Sequence, residues 1–129
     1  MIVLDASVIV EILLRTDAGG RALSLVGDDQ LHLPALADVE VAQVVRGLTL
    51  HGEMSLSRAA EAIGDLQALP AIRHDHRQLL VAIWTMRSEL SAYDAVYVAL
   101  AAGLGATLVT RDGRLAATAR RRVEVVLCA

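Results

Sequence analysis

The chain reads as an α/β protein: one three-layer α/β/α sandwich, with helices covering both faces of a central, mostly parallel sheet. Two observations predict this. The strand-like segments are short, continuously apolar and without alternation, as strands buried on both faces are. Longer segments of helical period separate them, the order that builds parallel crossovers. A length of 129 residues suits a single domain, 1–129, with a proper core. No repeat, low-complexity tract or linker divides it.

Each element has a local reason. Met1–Leu4 is an apolar run that stops at Asp5, a buried strand. Ser7–Arg15 follows as a helix, and Thr16-Asp17 caps a second that runs to about Val26 and stops at Gly27-Asp28-Asp29. Leu31–Leu33 is a short strand closed by Pro34. Leu36–Leu50 is helical, with Leu36, Val44, Val45 and Leu48 on one broad face and Gly52 as the stop. Ser55–Leu66 is a helix capped at Ser55 or Ser57, and Ala71–Arg73, after Pro70, is a strand. Arg77–Leu90 and Tyr93–Ala102 are helices, the second ended by Gly103 and Gly105. Ala106–Val109 is the clearest strand. After the Thr110–Gly113 turn come a short helix to about Ala119 and a last strand, Val123–Leu127.

Composition narrows the function classes. Hydrophobic residues make up 55% of the chain and mean hydropathy is +0.50, which predicts apolar surface reserved for a partner or a second subunit. A membrane span is not expected: the longest uncharged run, Ala95–Thr110, is 16 residues and carries Gly103 and Gly105. The chain opens as MIVLD, with acids at positions 5 and 11 and no basic segment, and a lone Cys128 permits no internal disulfide, so the expected compartment is the cytoplasm. Net charge is −3, unevenly spread. Residues 1–64 carry four arginines against nine acids, and residues 65–129 eight against six. Such a balance leaves a phosphate-rich substrate open, above all if some acids are neutralised by metal.

Four acids attract notice: Asp5, Glu40, Asp94 and Asp112. The chain contains no lysine, so their cationic partners are arginine, histidine or a metal. Functional crevices of open α/β sheets lie at the carboxyl ends of the strands, which places Asp5 and Asp112 on one edge. Taken singly, three have structural explanations. Asp5 suits a helix N-cap, Asp94 completes the capping-box spacing of Ser91-Ala92-Tyr93-Asp94, and Asp112 before Gly113 suits a turn or cap. Glu40 resists, standing four residues after Leu36 and four before Val44 on an apolar stripe. Asp38 reads as ordinary surface. Together the four suit a hard divalent cation, Mg²⁺ or Mn²⁺, with Ser7 and Thr110 as hydroxyl support.

The segments MIVLDAS at the N-terminus, LPALADVEV around Glu40, LSAYDAVYVALA around Asp94 and TLVTRDGRL around Asp112 resemble a PIN domain, most nearly the VapC toxins of bacterial toxin–antitoxin pairs. The likeness spans nearly the whole chain, and its YDAxYVALA and TxD segments are the most specific. It implies a PIN fold, Mg²⁺- or Mn²⁺-dependent cleavage of RNA to 5′-phosphate and 3′-hydroxyl ends, a homodimer, a higher-order toxin–antitoxin complex, and inhibition by a VapB antitoxin. Asp5, Glu40, Asp94 and Asp112 match the family's acidic quartet and Thr110 its hydroxyl position. Some relatives carry another acid after the last aspartate; here Gly113 and Arg114 follow, so one metal and two both stay open.

On this reading Asp5 and Asp94 hold a metal, Asp112 completes or water-bridges its shell, and Glu40 orients or deprotonates the attacking water. Arginine suits bidentate phosphate recognition. Of Arg73, Arg77, Arg87, Arg111 and Arg114, the expected substrate contacts are Arg87, close enough to Tyr93-Asp94 to reach the crevice mouth, and Arg111. Arg120-Arg121-Arg122 is an exposed connection within reach of RNA. His74-Asp75-His76 has a metal-like spacing but no soft-ligand neighbours, and Asp75 reads as a helix cap. With Trp84, Tyr93 and Tyr97 as the only aromatics, base-stacking platforms are not expected, so RNA shape and backbone carry recognition. Trp84 is assigned to core or dimer interface. Receiver and phosphohydrolase domains share strand-end acids and Mg²⁺, but both rely on a lysine, and the phosphohydrolase pattern needs an acid where Ser7 stands. A non-catalytic binding module is the other rival.

Overall fold

Five short parallel strands set the frame: β1 (Ile2–Leu4), β2 (Leu31–Pro34), β3 (Ala71–His74), β4 (Thr107–Thr110) and β5 (Val125–Leu127), in the spatial order β3-β2-β1-β4-β5. The structure is a computed structural model and describes residues 1–128. The inner strands are the apolar runs of the sequence. All of β1 and β2 is buried, as are Leu108, Val109 and Thr110 of β4, while edge strands β3 and β5 are partly open. A fully enclosed side chain such as Leu108 contributes about 1.5–3 kcal/mol by burial.

Among the described residues, seven α-helices connect the strands: α1 (Ala6–Leu13), α2 (Asp17–Val26), α3 (Leu36–Leu50), α4 (Leu56–Ala68), α5 (Leu80–Thr85), α6 (Ala92–Leu104) and α7 (Gly113–Ala119). Right-handed crossovers send α1–α4 to one face and α5–α7 to the other, because the chain moves outward from β1 in opposite directions. Accordingly α1 packs on α2, α3 and α4, whereas α6 packs on β1, β2 and β4 and α7 on β4 and β5. The strand order reverses between β1 and β4. That switch point, at the carboxyl ends of the two strands, is where such folds open a crevice.

Most caps follow from local chemistry. Thr16, Ser55 and Ser91 each accept a first-turn N–H of their helix, Gly27 ends α2 at φ 54°, and Gly105 ends α6 in the left-handed region at φ 64°. Gly103 is absorbed into α6, which runs one residue further at its start and two at its end than its spacing suggests.

Four expectations are corrected. The helix expected over Arg77–Leu90 is a 3₁₀ turn (Arg77–Leu79) followed by α5, which stops at Thr85. This segment packs Leu79, Ile83, Met86 and Leu90 against the core, while Leu80, Val81 and Trp84 project into solvent. From Met86 its N–H groups turn back to carbonyls three residues away. Trp84 is 68% exposed, so of the two expected places, core and dimer interface, the core is excluded. On α3 the core face is Ala37, Val41 and Val45, whereas Val44 is exposed. The row Leu36–Glu40–Val44 lies beside it and lines a surface groove. Finally, Asp38 is not plain surface: it is ion-paired with Arg73. Arg73 Nε and Nη2 hold Asp38 at 3.0 and 3.1 Å, and its other hydrogen bonds reach the carbonyls of Leu66, Leu69 and Ala71.

Candidate active site

The crevice at the switch point is built around Asp5. Leaving β1, Asp5 caps α1, accepting the Val8 N–H at 3.3 Å, so its main chain turns the carboxylate across the strand ends. Ser7 Oγ donates to the same oxygen at 2.5 Å, and Thr110, at the end of β4, donates to the other. Both hydroxyls are used twice: Thr110 Oγ1 accepts the Asp112 N–H at 3.0 Å and Ser7 Oγ accepts the Arg111 N–H at 3.2 Å. Asp5 and the 110–112 turn are therefore one hydrogen-bonded unit. Asp112 caps α7, accepting from the N–H groups of Arg114 and Leu115. The cap readings of Asp5 and Asp112 hold, and capping is what fixes these carboxylates in place.

The other two acids come from opposite faces of the sheet. Asp94 lies in the first turn of α6, held there by Ser91, which accepts the Asp94 N–H at 3.1 Å. Glu40 lies one turn into α3, half-buried, and accepts the hydroxyl of Tyr97 at 2.5 Å. Tyr97 follows Asp94 by three residues, so one face of α6 carries both. It is 2% exposed, and burial together with Glu40 pushes its hydroxyl well above its ordinary range. In the sequence Tyr97 stands out only as an aromatic residue, and its helical spacing from Asp94 is the signal that marks it for the site.

Electrostatics tie the four together. Burial lifts Asp5 above the usual carboxylate range, against the Ser7, Thr110 and Val8 hydrogen bonds, and the Asp112 charge lifts it further. Burial raises Glu40, and so do Asp94 and Asp5, while Tyr97 lowers it. Asp94 is raised by burial and then by Asp112 and Asp5. Among the described residues, no ion pair reaches any of these acids. Arg111 stands at the rim but pairs with Glu11, which Thr16 also holds. Arg87 does not line the crevice: its guanidinium lies 4.9 Å from the Trp84 ring and donates to the Trp84 carbonyl. The arginine that does line the concavity with Asp94 and Asp112 is Arg114, with Glu89, Ser91 and Thr118.

The donors fit a hard divalent cation in kind: carboxylates and hydroxyls, without sulfur or imidazole. Among the described residues no three acidic, histidine or cysteine side chains stand close enough to grip an ion at once. Mg²⁺ keeps several waters and uses one or two carboxylates, so two direct ligands with the others acting through water suit this spacing. His74 and His76 lie outside the crevice, each in a hydrogen bond of its own.

The profile of the PIN domain matches residues 2–121. This chain belongs to the PIN-domain family. Full-length relatives carry the name VapC. The chain is 36% identical to VapC ribonuclease Mb0985 of Mycobacterium bovis over 127 residues, 98% of each protein, and 36% identical to ribonuclease VapC12 of Mycobacterium tuberculosis over the whole of both. Solved structures share the PIN fold at lower identity. VapBC2 from Rickettsia felis, bound to a promoter DNA fragment, superposes with a TM-score of 0.70 at 15% identity over all of both chains. FitAcB from Neisseria gonorrhoeae gives 0.67 at 20%, covering 97% of this chain and 96% of that one. Among the described residues no helix is long and apolar enough to cross a membrane.

Proposed function

We propose that this PIN domain is a divalent-metal-dependent endoribonuclease, the cytoplasmic toxin of a VapBC-type toxin–antitoxin pair. The observation that carries this reading is the cluster at the switch point. Asp5, Glu40 and Asp94 are held above their ordinary range by burial and by neighbouring acidic charge, Asp112 completes the group, and among the described residues no ion pair answers them. A bound cation is the natural counterpart of such a cluster. Its PIN membership and its VapC-named relatives supply the substrate class, RNA.

Asp5 and Asp94 would hold Mg²⁺ or Mn²⁺, and Asp112 would share it through water. When bound, the cation supplies Lewis-acid polarisation of the scissile phosphate. Glu40 takes the proton of the attacking water, a role suited to a carboxylate whose proton affinity burial raises above the usual range. Tyr97 fixes which Glu40 oxygen remains free. The water oxygen bonds to phosphorus as the bond from phosphorus to the 3′ oxygen breaks, and the leaving oxygen takes a proton from solvent, which gives a 5′-phosphate and a 3′-hydroxyl. Ser7 and Thr110 keep Asp5 in place, and Arg114 is the crevice cation best placed for a backbone phosphate.

The partners follow from the surface. An apolar groove lined by Leu36, Val39, Val44 and Tyr93 runs past Glu40, and another between α3 and α4 is lined by Val39, Ala42, Ile63 and Leu66. They suit an apolar antitoxin segment reaching the site, and the exposed Leu80, Val81 and Trp84 suit burial against a second copy. Purified protein incubated with structured RNA tests the reading. It should cut with Mg²⁺ and not with EDTA, and Asp5→Asn and Asp94→Asn should be at least a hundredfold slower. RNA that is shifted but never cut, or an Asp94→Asn variant as fast as the native chain, would contradict it.

A further inference from the structure

The His74-Asp75-His76 motif plays no part in the site described above, yet both imidazoles are engaged. His32 Nδ1 and His74 Nε2 are 2.8 Å apart, joining β2 to β3. His76 has a different partner: its Nε2 accepts the Leu36 N–H at 2.8 Å. That acceptor answers a need of α3. The first N–H groups of a helix have no partner within it, and Ala35 at the N-cap offers no side-chain acceptor. His76, forty residues away in sequence, supplies one.

Two further tethers act on the same turn. The Ala35 N–H donates to the His74 carbonyl at 2.9 Å, and Arg73 grips Asp38 with two arms. Residues 73–76 thus hold the start of α3 at three points. Glu40 hangs directly on that turn. In α-helical register its N–H donates to the Leu36 carbonyl, so Leu36 links His76 at one end to Glu40 at the other. The Glu40 carboxylate is fixed from across the site by Tyr97.

We propose that His76 is a positioning residue for Glu40: by capping α3 at Leu36, it sets where the Glu40 carboxylate stands relative to Asp5 and Asp94. The role rests on the nuclease reading above. His76 touches neither substrate nor the acids; it acts through the helix.

The test uses the full chain with Mg²⁺ and a defined RNA, and compares His76→Ala and His76→Gln in the native and Glu40→Gln backgrounds. His76→Leu, without an acceptor, replaces the alanine variant if that is unstable. The alanine change should lower kcat by roughly tenfold, as small misplacements of a reacting group do, with KM within about twofold. Glutamine, whose amide oxygen can accept the same N–H, should restore most of the rate. In the Glu40→Gln background the alanine change should move kcat by less than about twofold, since the residue it positions is already disabled. Hydrogen exchange should show the Leu36 amide losing protection with alanine and keeping it with glutamine.

An alanine variant with full kcat overturns the proposal. So does the same tenfold loss in the Glu40→Gln background, or a glutamine variant that protects Leu36 without restoring the rate. In each case native protein that cuts with metal leaves the nuclease reading standing. If the native chain does not cut, the nuclease reading fails and the positioning role falls with it; if Glu40→Gln cuts as fast as the native chain, the nuclease reading stands and the positioning role alone is overturned.

Discussion

Replacing Tyr97 by phenylalanine removes one oxygen from a site that is 2% exposed and takes from Glu40 its hydroxyl donor. The magnitude follows from the two ionisation states of Glu40. A hydrogen bond to a charged group contributes about 1.5–3 kcal/mol and one to a neutral group about 0.5–1.5. The difference, on the order of 1 kcal/mol, is what Tyr97 adds in favour of the carboxylate form. Half-buried Glu40 recovers part of this from water, which places the effect at the lower end. Without the hydroxyl, the Glu40 proton is held more tightly still. At about 1.4 kcal/mol per pH unit, the acid limb of kcat should therefore move upward by about half a unit. The limb reports the coupled carboxylates rather than Glu40 alone, so a larger movement is not expected. The assay is kcat against pH with saturating Mg²⁺ on a fluorogenic RNA, beside a urea melt showing a stability change within about 1 kcal/mol. Superposable pH profiles for Tyr97→Phe and native protein would refute the argument.

The same electrostatics predict that activity and stability oppose each other here. Without metal, Asp94→Asn should raise the melting temperature, because burial and the Asp5 and Asp112 charges disfavour the ionised side chain; discounted for half exposure, the gain is roughly 1 kcal/mol, or about 3–5 °C. The pH dependence has a definite sign. Asp5, Glu40 and Asp94 bind protons more tightly folded than unfolded, so their destabilising contribution is present at neutral pH and is relieved as pH falls through their raised values. Denaturant melts in EDTA, native minus a quartet Asn/Gln variant, should show this difference shrinking toward low pH. Thr110→Val keeps the shape of a fully buried side chain but strips a donor from Asp5 and an acceptor from the Asp112 N–H. It should cost about 1–3 kcal/mol in a urea melt and weaken metal affinity by about 10–100-fold, read by titration.

Strand positions were legible because their physics is local. Ile2–Leu4 and Leu108–Val109 are enclosed from both sides, so each shows as an unbroken apolar run, and the acid or hydroxyl that follows it, Asp5 or Thr110, marks the crevice edge. Glu40 was visible for a related reason, since a carboxylate in the row Leu36–Glu40–Val44 needs an explanation. What stayed hidden depends on distance in the fold. Arg73 and Asp38 are thirty-five residues apart and Leu36 and His76 forty, and neither pair leaves a periodic trace. The Arg77–Leu90 segment misled because Leu79, Ile83, Met86 and Leu90 reach the core at helical spacing, while the backbone that carries them passes through 3₁₀ turns rather than one continuous α-helix. Arg87, placed at the crevice mouth by proximity in sequence, turns instead onto Trp84, and Arg114 takes the position beside Asp94 and Asp112.

The central claim is that four carboxylates form one cation site, and Mn²⁺ binding measured by calorimetry and electron paramagnetic resonance tests it directly. The native chain should bind Mn²⁺ in a form that Mg²⁺ displaces. Asp5→Asn and Asp94→Asn should each abolish that binding, and Glu40→Gln should weaken it less than either. Native affinity retained in a variant with Asp5, Glu40, Asp94 and Asp112 all neutralised would contradict the claim.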